Sequence, residues 1–138
     1  MQPYFSIITI NYNNEIGLAR TLDSICNQSF KNFEIIIVDG ESTDDSRKVW
    51  KKFAFKRKTV ISEDDAGIYD ALNKGISKSI GKFVHFLHSG DTFANKCTLQ
   101  ALFEELSREN INAVYGNNIF VSYKHNIPTV KRAWYPGK

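Results

Sequence analysis

Ile35-Ile36-Ile37-Val38-Asp39-Gly40 is an unbroken β-branched run that stops on a carboxylate and a glycine. An apolar run of this length with no polar alternation marks a strand covered on both faces, as parallel strands are. The predicted strand is Phe33–Asp39, and Gly40 lets the chain turn away, which leaves the Asp39 carboxylate at the tip. Three other segments share this layout. Ile7-Ile8-Thr9-Ile10 leads into Asn11-Tyr12-Asn13, a helix opens just after Asp64-Asp65, and Phe83-Val84-His85-Phe86-Leu87 ends on His88-Ser89-Gly90-Asp91. Ligands of open α/β sheets bind outside the carboxyl ends of the strands, so carboxylates delivered there by separate strands suit a hydroxyl-rich or metal-bound ligand.

Outward from this run, residues 5–10 read as a first strand, and Asn13 or Asn14 caps a helix with Leu18, Leu22, Ile25 and Cys26 on one face. Ser42-Thr43-Asp44-Asp45 offers N-cap side chains to a second helix and negative charge to its first turn. Lys58–Ser62 is a short third strand. A third helix stacks Ile68, Leu72, Ile76 and Ile80 four apart, with Gly81 expected as its left-handed cap. Residues 82–87 form a fourth strand, and residues 96–108 a helix with Leu99, Leu102, Phe103 and Leu106 inward. Short apolar stretches flank Gly116-Asn117-Asn118, and residues 128–134 supply another strand. The fold class is α/β, a mostly parallel, Rossmann-like sheet with helices on both faces.

The chain of 138 residues has the length of one domain, and 42% hydrophobic with 24% charged residues describes a globular protein. No apolar run approaches the roughly 20 residues that cross a bilayer. Met1-Gln2-Pro3-Tyr4 enters the first strand without the basic and apolar regions of a secretory leader, so a cytoplasmic setting is expected. Cys26 and Cys97 lack metal or redox spacing and are expected to be buried, small apolar side chains. A formal net charge of +3 is mild, and no nucleic-acid partner is expected. The basic run Arg47, Lys48, Lys51, Lys52, Lys56, Arg57, Lys58 reads as a solvated helix face and loop, with attraction to an anionic membrane surface as the functional alternative.

Asp39 can accept hydrogen bonds from a ribose or a base N–H, or it can stabilise its own turn with Ser42 and Thr43; position alone does not separate the two. Asp91 is the candidate metal ligand, because Mg²⁺ or Mn²⁺ often uses one or two protein carboxylates and takes its other ligands from phosphate and water. His88 is a weaker candidate, and His85, inside the strand, reads as structural. Asn73 and Lys74 lie beside Gly75, whose missing side chain suggests close approach by a phosphate or a ligand-bearing loop.

Taken in order, residues 6–13, 37–44, 65–75 and 81–91 (Ser6-Ile7-Ile8-Thr9-Ile10-Asn11-Tyr12-Asn13, Ile37-Val38-Asp39-Gly40-Glu41-Ser42-Thr43-Asp44, the Asp65-Ala66-Gly67-Ile68-Tyr69-Asp70 segment through Gly75, and Gly81 through Asp91) resemble the family-2 inverting glycosyltransferases. The resemblance implies a GT-A type fold, here incomplete at its C-terminus, and hexosyl transfer from a nucleotide-diphospho-sugar donor to a carbohydrate or lipid-linked acceptor. It assigns the base and ribose to Ile10 (through its backbone), Tyr12 and Asp39, the sugar-diphosphate to the segment with Asn73 and Lys74, loop contacts to Ser89 and Gly90, and a divalent cation to Asp91. His88-Ser89-Gly90 stands where many relatives carry further acids, a variant similar to enzymes of bacterial surface polysaccharide synthesis. The same resemblance leaves room for a homo-oligomer and for peripheral association with the inner membrane face.

An inverting transferase needs a general base, and no Asp follows Asp91; the later acids are Glu104, Glu105 and Glu109, and His125 is the remaining candidate. The expectation is a nucleotide-binding half that retains donor and metal binding, with a non-catalytic nucleotide-sugar-binding or assembly module as the alternative. A dinucleotide oxidoreductase is disfavoured, since Asn11-Tyr12-Asn13-Asn14 supplies no glycine-rich turn. A signalling receiver is disfavoured by the strand-rich tail.

Overall fold

Strand β1 (Phe5–Asn11) is the centre from which the architecture grows, because it is paired on both sides. In the computed structural model, which describes residues 1–108, 111–125 and 127–136, helix α1 (Glu15–Cys26) follows β1, then β2 (Phe33–Asp39), α2 (Ser46–Lys52), β3 (Lys58–Ser62), α3 (Ile68–Lys78) and β4 (Phe83–Phe86). These strands form one parallel sheet in the order β3-β2-β1-β4. Every residue of β2 is buried, so both of its faces are covered, as its unbroken apolar run requires. The boundaries of β2 and β3 coincide with those expected from the sequence, and Asn14 is the residue that caps α1, accepting from the Gly17 N–H at 3.1 Å.

The chain comprises two compact units, Met1–Ala101 and Leu102–Lys138. Helix α4 (Thr98–Leu106) runs across that division. Its start is stapled to the end of α1 by buried Gln28, whose amide donates to the Asn95 carbonyl at 2.8 Å and accepts from the Leu99 N–H at 3.0 Å. In the second unit, β5 (Asn118–Lys124) and β6 (Ile127–Trp134) form an antiparallel hairpin. The turn between them includes His125, in the left-handed region with φ 50°.

Helix α3 corrects a further expectation. Ile68, Ile76 and Ile80 are exposed, and the buried positions are Ala71 and Gly75. A Cβ on Gly75 would lie 2.6 Å from Cγ2 of Ile8, so the glycine brings α3 down onto β1, and its missing side chain serves the core, not a phosphate. Ala71 completes a cluster with Ile8, Ile36 and Val38. Gly81 is not a left-handed cap either; Ser79 ends the helix in extended conformation, and Gly81 is needed because a Cβ there would meet the Ser6 backbone at 2.6 Å. Cys97 is exposed in the turn before α4, and Cys26 is half-buried, with burial pushing its thiol pKa up. Among the described residues no helix is long and apolar enough to cross a membrane.

Candidate functional site

Parallel pairing puts all the polar tips at one edge of the first unit. Asn11 is in register with Asp39, and Asp39 with Ser62. On the other side of β1, Leu87 N donates to Ile8 O and Ser89 N to Ile10 O, which carries the 88–91 loop to the same edge. The backbone oxygen of Ile10 is thus used to hold that loop.

The loops around this edge are tied to one another. Asn13, left-handed at φ 46°, donates its N–H to the Ser42 hydroxyl at 2.8 Å and accepts from the Thr43 N–H at 2.8 Å. Asp44 accepts from the N–H groups of Glu15 and Ser46 at 2.9 and 3.0 Å. Partial burial works against ionisation there, but these hydrogen bonds win and hold its carboxyl below the usual carboxylate range. Asp45 N donates to Glu15 Oε2, so the shallow depression bounded by Asn13, Asn14, Glu15, Asp44 and Asp45 has its acids engaged within the protein. On the far side, the Thr21 hydroxyl lies 2.8 Å from Asp91 O and accepts from Gly90 N at 2.9 Å.

Asp39 is only 1% exposed. Its Oδ1 accepts from the Asn11 amide at 2.7 Å and the Ser42 hydroxyl at 2.6 Å, and its Oδ2 from Ser42 N at 2.9 Å and the Ser62 hydroxyl at 3.4 Å. Here the carboxylate organises its own turn, as one of its two sequence readings has it. Tyr12, by contrast, is 69% exposed. Beside its ring, above buried Gly40, lies a carboxylate that motif reading passed over. A Cβ on Gly40 would meet Asp65 Oδ2 at 2.7 Å and Tyr12 Cδ2 at 3.4 Å.

Lys74 is engaged. Its ammonium bridges Glu63 and Asp70, each at 3.1 Å, and donates to the Asp64 carbonyl at 2.7 Å. Partial burial opposes its charge, but the two carboxylates outweigh it and raise its pKa. Asp70 in turn accepts from Ala66 N and Lys74, and its carboxyl is held below the usual range. Lys74 thus fastens the 63–70 loop to α3, while Asn73 is exposed on the same helix.

Asp91 is exposed, directly after Gly90, which is left-handed at φ 103°. Among the described residues no group of three or more His, Cys, Asp or Glu could hold a metal by itself. One exposed carboxylate suits only a hard cation that takes most of its oxygens from a ligand and water. His88 stacks toward Phe86 with centroids 6.5 Å apart and buries an Nδ1 that has no hydrogen-bond partner among the described residues. His85 stacks on Phe93 at 5.2 Å, and burial holds its pKa below 6.5. Of the base candidates, Glu104 is exposed, Glu105 pairs with Arg108 at 2.8 Å, His125 is exposed at the hairpin turn, and Glu109 lies outside the described residues.

Comparison with known proteins gives this edge a context. The profile of glycosyl transferase family 2 matches residues 6–136. A PGL/p-HBAD biosynthesis glycosyltransferase of Mycobacterium bovis (strain BCG / Pasteur 1173P2) is 35% identical over 124 residues, 87% of this chain and 48% of that protein. The chain thus spans about half the length of that curated relative. Among solved structures, S. aureus TarS 1-349 in complex with UDP-GlcNAc superposes with a TM-score of 0.67 at 29% identity, over 77% of this chain and 31% of that one. The mannosyltransferase PcManGT of Pyrobaculum calidifontis, in complex with GDP-Man and Mn²⁺, superposes with a TM-score of 0.71 at 22% identity, over 85% of this chain and 35% of that one. The α/β fold is that of the GT-A type.

Proposed function

The chain belongs to glycosyl transferase family 2, and from that premise we propose that it binds a nucleotide-diphospho-sugar with a divalent cation at the carboxyl edge of its parallel sheet. The observation that carries this is the set of interlocked loops on either side of the β1 tip. An exposed aromatic, Tyr12, lies on one side of that tip and an exposed carboxylate, Asp91, on the other. A TarS structure at 29% identity holds UDP-GlcNAc, which supports a sugar nucleotide as the ligand.

Tyr12 stacks on the nucleobase, and Asp39 acts from beneath by fixing the 40–46 turn. The N–H groups of Ser89 and Gly90 are held by Ile10 O and the Thr21 hydroxyl, so this loop meets the ribose hydroxyls through the Ser89 hydroxyl oxygen and the Gly90 carbonyl, and exposed Asn73 on α3 serves the sugar-diphosphate. Asp91 would hold Mg²⁺ or Mn²⁺, which would supply positive charge to the departing diphosphate. In the transferase reaction, an acceptor hydroxyl attacks the anomeric carbon with inversion as the sugar–phosphate bond breaks, and a base takes the hydroxyl proton. Donor and metal binding are the activities proposed for this chain itself. The acceptor proposed is a carbohydrate or lipid-linked hydroxyl, in keeping with a mycobacterial relative named for PGL/p-HBAD biosynthesis.

Titrating UDP and GDP into the protein with and without Mn²⁺ by calorimetry tests this. Binding that strengthens with Mn²⁺ and weakens in Asp91→Asn is expected. Absence of heat with either nucleotide under all conditions would overturn the proposal.

A further inference from the structure

Given the donor-binding function, on which this step rests, we infer that Asp65 is the residue that reads the edge of the nucleobase, and that it selects guanine. Asp39 is enclosed, and each of its oxygens already accepts two hydrogen bonds from Asn11, Ser42 and Ser62. Asp65 sits differently. Its Oδ1 accepts one bond, from Gly67 N at 3.0 Å, which orients the carboxylate. Its Oδ2 makes no hydrogen bond among the described residues, and it and Tyr12 Cδ2 flank one point above Gly40, 2.7 and 3.4 Å from where a Cβ would stand. A base stacked on exposed Tyr12 is thereby brought within reach of the Asp65 carboxylate.

The loop that carries this group is held from behind. Lys74 donates to the Asp64 carbonyl at 2.7 Å and pairs with Glu63 and Asp70, so the cation sets the backbone from which Asp65 projects. Glu63 N donates to Asp39 O at 3.1 Å, which fastens the same loop to the end of β2. Lys74 is a positioning residue for the base edge.

The chemistry of the edge then decides the base. A carboxylate is an acceptor at both oxygens, with about four lone-pair sites, of which Gly67 N uses one. Guanine offers two adjacent donors, N1–H and the N2 amino group, and satisfies both oxygens at once. Uracil offers one N–H flanked by carbonyl oxygens, so one carboxylate oxygen faces another acceptor. An Asn at this position would present one acceptor and one donor, the complement of the uracil edge.

Calorimetric titration of GDP, UDP and pyrophosphate, each with Mn²⁺, into the wild-type protein and into Asp65→Asn, Asp65→Ala and Gly40→Ala separates the possibilities. Wild type should prefer GDP over UDP by about tenfold or more, the discrimination of one good bidentate pair. Asp65→Asn should shift the preference toward UDP. Asp65→Ala should weaken GDP about tenfold and leave pyrophosphate unchanged. Gly40→Ala keeps the carboxylate but places a methyl 2.7 Å from its Oδ2, and should weaken GDP likewise. Unaltered circular dichroism of the variants guards against misfolding. UDP bound as tightly as GDP by wild type, or GDP affinity unmoved in Asp65→Ala, would overturn the role of Asp65 while leaving donor binding intact. No heat from any of the three ligands would overturn both.

Discussion

Strands β2 and β6 carry similar numbers of residues, and both include β-branched side chains, yet every position of β2 is buried and every position of β6 is exposed. The difference lies in what flanks each strand. β2 is paired on both sides and has α3 against one face, while among the described residues β6 pairs with β5 alone. Apolar composition gives a strand something to bury, and layers decide whether it is buried. A two-stranded hairpin is marginal without a third layer, so the two units are expected to respond very differently to the same kind of substitution.

The largest effect should come from the middle of the sheet. Ile36→Ala removes a fully buried side chain from the cluster with Ile8, Val38 and Ala71, and should lower the unfolding free energy by about 2–5 kcal/mol in a urea titration. A loss below about 1 kcal/mol would show that this core is loosely packed.

A middle-sized effect should appear as pH dependence. Burial against Phe93 holds the His85 pKa below its ordinary 6.5, so the unfolded chain binds the proton more readily than the folded one. Its contribution is full above 6.5 and falls as the pH drops from there toward the depressed folded value. Asp44 and Asp70, whose folded pKa values are lowered from 3.8, lose their contributions only further down, as the pH falls through those values. Thermal melts as the pH drops from 6.5, kept above 3.8, should therefore fall with acidity in wild type and be flatter in His85→Phe. Equal slopes in the two proteins would count against a buried, neutral imidazole.

The smallest change should be at Ile127→Ala in β6, within about 0.5 kcal/mol, because the side chain is exposed. A loss comparable to that at Ile36 would mean that the hairpin face is covered in solution.

The legible parts of this fold were those governed by local pattern. β2 and β3 have the bounds expected of them, because each is a strand-length segment built around a β-branched run, residues 35–38 in β2 and residues 59–61 in β3. Helix α3 was legible as a helix but not in its orientation. Its strong stripe at Ile68, Leu72, Ile76 and Ile80 outweighs Ala71 and Gly75 in any apolar count, although small side chains let it approach β1 most closely. The tips were legible as a group at one sheet edge. What each does was not, since the partners of Asp39 come from three separate segments, at Asn11, Ser42 and Ser62. Asp65 stands in a quoted motif, but its meaning depends on a contact with Gly40 that no spacing reveals.

The grip of Thr21 on the 88–91 loop has a thermodynamic consequence. Its hydroxyl, rooted in the rigid middle of α1, meets Gly90 N, His88 O and Asp91 O at 2.9, 3.2 and 2.8 Å. The backbone that presents Asp91 is thereby pre-organised, and the cation proposed for Asp91 would be captured at little cost in conformational entropy.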